Sequence, residues 1–95
     1  MADLPKYKLT TVAAGAGAAM GSKRLMGMVL VGGSGNTTVI CEDAATDTGT
    51  TKFSAAALIG TTFCCELEDF GGIPFDTDIF VKVTGTAGVA YVWHE

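Results

Sequence analysis

Charge is scarce in this chain. Only 17% of its 95 residues are Asp, Glu, Lys or Arg, and the six Lys and Arg residues form no long basic run. Ten acids outnumber them, giving a net charge of −4 and a pI of about 4.7. A domain of that sign repels a phosphate backbone, which argues against nucleic acid as a partner. Scarce charge with a mean hydropathy of +0.40 also argues against a disordered chain, which needs the reverse of both. Histidine is nearly absent: His94 stands alone, so no histidine-based metal cluster can be built within one chain. No apolar run approaches the ~18 residues of a membrane-spanning helix. The early "AAGAGAAMGS" lacks the leucine-rich centre of a secretion signal.

Cysteine is present without a framework. Cys41, Cys64 and Cys65 have neither disulfide nor metal spacing, and the adjacent pair would point to opposite faces of a strand. Such thiols fit a protein made in a reducing cytosol. What is abundant is Gly, 13 residues in all, with Ala, Thr and five Phe between the glycine clusters. The length allows one domain and no separate catalytic module.

The apolar pattern is that of strands. "TFCCELE" (Thr62 to Glu68) alternates cleanly, with Phe63, Cys65 and Leu67 on one face and Thr62, Cys64, Glu66 and Glu68 on the other. "IFVKV" sets Ile79, Val81 and Val83 opposite Phe80 and Lys82. "LMGMVLV" (Leu25 to Val31) is continuously apolar, as in a strand covered on both faces. With the turn "GGSGN" and the strand "TTVICE" it reads as a hairpin. "KYKLTTVA" can form a strand with Tyr7, Leu9 and Thr11 on one face, while "AGAGAAMGS" reads as a loop or extended arm. "KFSAAAL" (Lys52 to Leu58) allows either one helical turn capped by Ser54 or a strand, and the strand is preferred. The closing "VAYVWHE" would place Val89, Tyr91 and Trp93 on one face and pair with the strand before it.

The expected fold is therefore all-β: a small β-sandwich or barrel of six to seven short antiparallel strands with an N-terminal arm. Residues 1–22 form the arm or first strand, and residues 23–95 the sandwich. The expected core is Leu25, Val29, Val31, Val39, Cys41, Phe63, Cys65, Leu67, Val81, Val83, Val89 and Tyr91.

Few residues carry candidate chemistry. A triad on His94 would need Cys64 or Cys65 beside it with Glu66 to orient the ring, and nothing in the spacing brings them together. His94 reads better as a surface or interface residue. Asp76 and Asp78 could offer oxygens to a calcium ion on an irregular loop, but the EF-hand spacing is absent and turn chemistry is the preferred explanation of such a pair. Gly15-x-Gly17 is a fragment of a dinucleotide fingerprint, but Met20 replaces the third glycine. No catalytic, cofactor-binding or metal residue is assigned. The candidate site residues are instead interface residues: Leu4, Pro5, Lys6 and Tyr7 as arm anchors, with Trp93 and His94 at the other end of the chain.

Over residues 25 to 95 the order "MVLVGGSGNTTVICED", a polar gap, then "TTFCCELEDFGGIPFDTDIFVKVTGTAGVAYVWHE" resembles small virion structural proteins of tailed bacteriophages. The shared elements are a Gly-Gly turn between strands, Gly72 to Phe75 leading into a β-strand, the Val83 to Gly85 turn, and a final aromatic strand ending in an acid. The resemblance implies a non-enzymatic component, most simply a capsid decoration or cement protein, with a tail, collar or fibre-associated position as the alternative. It implies location in the virion after synthesis in the host cytoplasm, and partners that are other copies, a trimer being favoured, and the major capsid protein or another virion protein. A different class, a carbohydrate- or ligand-binding β-module, would use Tyr91 and Trp93 as a stacking platform.

Overall fold

Ile79–Gly85 shows the alternation expected of it: Ile79, Val81 and Val83 are fully buried while Phe80 and Lys82 are only partly so. It is the eighth of nine strands in a computed structural model that describes residues 7–95. The others are β1 (Lys8–Ala13), β2 (Gly17–Ala19), β3 (Arg24–Val31), β4 (Thr37–Asp43), β5 (Thr50–Ala57), β6 (Thr62–Glu66), β7 (Ile73–Pro74) and β9 (Val89–His94), with Ile79–Gly85 as β8. A 3₁₀ turn at Glu68–Phe70 is the only helical segment among the described residues.

The strands form two antiparallel sheets packed face to face, so the all-β, sandwich-like class holds. The larger sheet runs β1-β9-β3-β6 with β7 also on β3; the smaller runs β2-β8-β4-β5. Leu25, Met28, Leu30 and Val92 from one sheet meet Val39, Cys41, Val81 and Val83 from the other in a continuous core. β5 is a strand, as preferred, and its Ala57 is buried.

Several expectations need correction. β3 and β4 do not form a hairpin: β3 lies in the larger sheet and β4 in the smaller, so residues 32–36 cross between layers. β9 likewise does not pair with β8. It is an internal strand, held by β1 on one side and β3 on the other. Glu95 N–H donates to Arg24 O and Arg24 N–H to Glu95 O, so β3 pairing continues to Glu95. Within residues 7–22, β1 is the strand expected of "KYKLTTVA", but "AGAGAAMGS" is held in the sandwich rather than free as an arm. β1 adds to the larger sheet and β2 to the smaller, and Val12, Met20 and Ser22 are buried. Strand segments therefore exceed the six to seven expected, because β2 and β7 are too short to leave a periodic signal. Leu4, Pro5 and Lys6 lie outside the described residues.

The face of β9 is the reverse of that expected. Ala90, Val92 and His94 point inward, and Val89, Tyr91 and Trp93 outward. Register is the reason. Directly opposed residues share a face, and Leu30, Met28 and Leu25 of β3 stand opposite Ala90, Val92 and His94. Leu25 and Met28 can both face inward because the step from Leu25 to Gly27 is matched by a single step on β9, so Met26 is an extra, bulged residue. Val29 and Val31 are consequently turned outward and half-buried, while Phe63 and Cys65, opposite Leu30 and Met28, face inward as expected and pack half-buried against the core.

Candidate functional site: the outer face of the larger sheet

The register of the larger sheet aligns its outward side chains into rows. Leu9, Trp93, Gly27 and Glu66 form the first; Thr11, Tyr91, Val29 and Cys64 the second; Ala13, Val89, Val31 and Thr62 the third. Glu66 is the only charged residue among them. Leu9 is 55% exposed and Tyr91 37%. The outer face of the smaller sheet is mixed: Ile40, Phe80 and Ala56 alternate there with Lys82, Thr84, Thr38, Glu42 and Ser54, and Lys82 Nζ donates to Asp47 Oδ2 at 2.8 Å. One side of the sandwich thus mixes charged and apolar side chains, while the other carries apolar and aromatic rows with Glu66 as their one charge, a surface of the kind that marks an interaction site.

The first row contains a gap. Gly27 has no side chain between Trp93 and Glu66, and a Cβ there would stand 3.1 Å from Cys65 O. The gap opens into a groove of about 300 Å³ lined by Trp93, Tyr7, Met26, Met28, Val29, Cys64, Cys65, Glu66 and Glu68. Bulged Met26, 5% exposed, contributes to it, and Gly72 (φ 77° at Gly71, 85° at Gly72) lets the turn after the 3₁₀ segment close over Arg24 and Met26, where a Cβ would collide with Leu25 O. Tyr7 Oη donates to Glu68 Oε2 at 2.8 Å, tying the chain ahead of β1 to the segment after β6. That hydrogen bond, slight burial, and the charges of Glu68, Glu95 and Glu66 raise the phenol above its ordinary pKa. Phe70, 80% exposed, projects from the 3₁₀ turn.

Of the expected interface residues, Tyr7 and Trp93 meet in this groove. His94 does not. Its side chain is 1% exposed on the opposite face of β9, with Nδ1 2.6 Å from Ser22 Oγ and Nε2 2.8 Å from Thr10 Oγ1. Burial, with the charge of Lys8, lowers its pKa, against an opposing pull from Asp78. Both ring nitrogens face hydroxyls rather than a carboxylate, so the cluster is a buried polar tie. It is neither the interface residue expected nor a triad with Cys64 or Cys65, which lie on β6.

Asp78 is occupied by turn chemistry. Its Oδ1 accepts from the N–H groups of Gly21, Ser22 and Ile79. Asp43, which the sequence did not single out, caps the same loop through the N–H groups of Thr77 and Asp76, and these bonds lower its pKa. No three His, Cys, Asp or Glu side chains among the described residues are arranged to hold a metal ion. Burial pushes the Cys41 thiol up to about 12. The groove was missed in the sequence although a signal existed: an isolated glycine inside an apolar strand marks a bulge or a close approach, and Gly27 marks both.

Comparison with known proteins returns no family model, no curated protein and no solved structure that matches this chain.

Proposed function

We propose that this protein is a non-enzymatic structural component of a bacteriophage virion, a capsid decoration or cement protein, and that it binds its neighbours through the outer face of the larger sheet. The observation that carries the reading is the row structure of that face. Leu9, Trp93, Tyr91, Val89 and Val29 stand side by side on the solvent side of a sheet whose three outward rows hold a single charge, Glu66, whereas the other sheet's outer face carries Lys82 and Glu42. A rigid sheet presenting aromatic anchors needs no rearrangement to dock, and Trp and Tyr are the residues that dominate binding energy at protein interfaces. The resemblance of residues 25–95 to phage structural proteins supplies the setting: the partners are other copies, as a trimer, and the major capsid protein or a neighbouring virion protein.

The test is to image particles purified from the phage whose genome encodes the chain. The reading expects sandwich-shaped density at the shell surface with the larger sheet turned toward a neighbour, and Tyr91→Ser with Leu9→Ser should reduce occupancy while leaving the fold intact. Absence from particles, or attachment by the smaller sheet, overturns it. Density at the tail, collar or fibre keeps the structural class and moves the position.

One observation favours a second reading. Tyr91 and Trp93 lie on the same outward face, two residues apart, as a sugar-stacking platform requires. A ligand-binding module would show saturable carbohydrate binding by the isolated protein, lost in Trp93→Ala.

A further inference from the structure

The groove beside Gly27 differs from the rest of its face in one respect: it is apolar, aromatic and negative together. Among the described residues, Glu66 and Glu68 are the charged residues lining it, with no Lys or Arg beside them. Arg24, a cation near the groove, donates from its guanidinium to the backbone carbonyl of Gly71 at 2.8 Å. We infer that this groove receives an arginine side chain from an extended segment of the partner protein. The inference rests on the reading of this face as the contact surface and names what the partner must present there.

Each part of the lining fits a part of that side chain. At about 300 Å³ the space lies at the lower limit of small-molecule sites, a size for one long side chain rather than a cofactor. Bulged Met26 offers polarizable, apolar surface to a methylene stem. Trp93 and Tyr7 supply aromatic surface to a cation, and Trp is the best of the aromatic partners for one. Glu68 retains acceptor capacity after accepting the Tyr7 hydroxyl hydrogen bond, because a carboxylate can accept several. No Lys or Arg among the described lining residues takes up the Glu66 carboxylate. Guanidinium suits the combination better than ammonium: it is planar, more weakly hydrated, and can stack on a ring while its edge donates to carboxylates. A second copy of this chain is the poorer occupant, since it also carries a net charge of −4. The Tyr7–Glu68 bond holds one wall in place before any ligand arrives, which reduces the ordering cost of binding.

The experiment is an NMR titration of the folded, full-length protein with two blocked peptides, Ala-Leu-Arg-Leu-Ala and the same peptide with citrulline, the neutral isostere, in place of arginine. The expected result is saturable movement of the Trp93 indole and Gly27 amide signals, with the citrulline peptide about tenfold weaker. Raising the salt concentration should narrow that difference. The double variant Glu66→Gln with Glu68→Gln, which keeps an acceptor for Tyr7, should erase it. Equal response to the two peptides overturns the site and leaves the docking face standing, as does a double variant that keeps the preference. Tetramethylammonium chloride moving the same signals at lower concentration than the arginine peptide overturns it in favour of a small-amine site. The peptide comparison uses the unaltered protein, so it does not depend on how a variant folds. A protein absent from particles that still prefers the arginine peptide loses the virion reading and keeps this site.

Discussion

Ser22 Oγ and His94 Nδ1 lie 2.6 Å apart between the two sheets, and Thr10 Oγ1 closes the other side of the same ring at 2.8 Å. The loop after β2 and the last strand are therefore joined through a neutral imidazole, which serves as donor at one nitrogen and acceptor at the other. Protonation would leave both nitrogens as donors in a site that offers it no carboxylate bond.

Stability should consequently fall on mild acidification. The folded-state pKa of His94 is lowered by burial and by Lys8, so the unfolded chain takes up the proton first. The contribution is complete above the ordinary histidine value of about 6.5 and is lost as pH falls below it toward the lowered folded value. Thermal melts across this range should show a decline that His94→Gln removes. A melting temperature that rises on acidification through this window would mean that the ring is charged in the fold.

The two faces of β9 should respond oppositely to truncation. Val92→Ala removes fully buried methyl groups and should cost about 2 kcal/mol, and Leu30→Ala beside it about 2–5 kcal/mol. Tyr91→Thr, on the outer face, should change stability by less than about 1 kcal/mol. Denaturant melts of the three variants check the assignment, and a large loss at Tyr91 with none at Val92 would reverse it.

Thr37 is fully buried, and its Oγ1 has no hydrogen-bond partner among the described residues. Replacing the hydroxyl by a methyl group of similar shape removes an unsatisfied polar atom. Thr37→Val should raise stability by about 1 kcal/mol, equivalent to roughly 4–8 °C in melting temperature for a domain of this size. Calorimetry would show it.

The thiols should separate by depth. Cys64 is exposed in the second row of the outer face and should react with a maleimide in the folded protein. Cys41 is buried with its pKa near 12, leaving a thiolate fraction on the order of one in a hundred thousand at neutral pH, and should react only after unfolding. Mass spectrometry of labelled peptides, with and without denaturant, distinguishes them. Protection of Cys64 in the assembled state would place the second row inside the contact.

Much of the strand content was legible because the two faces of some strands differ in polarity. In β6 and β8, Glu66 and Lys82 alternate with Phe63, Cys65, Val81 and Val83, so a period of two names the inner face without reference to any partner. The candidate site was only half legible: Trp93 and Tyr7 stood out as anchors, but His94 was placed with them. "VAYVWH" is apolar on both sides and carries no such contrast, so its orientation was set by pairing with β3, where Met28 and Leu30 already faced inward. The same register buried His94 and turned Tyr91 and Trp93 outward. The partition into sheets also lay beyond local pattern. A Gly-rich turn such as residues 32–36 allows either a hairpin or a crossing between layers, and burial of apolar side chains on both sheets favoured the crossing. The groove needed the bulge at Met26, the missing side chain of Gly27 and the reach of Tyr7 to Glu68, which are distant in sequence and meet only through tertiary packing.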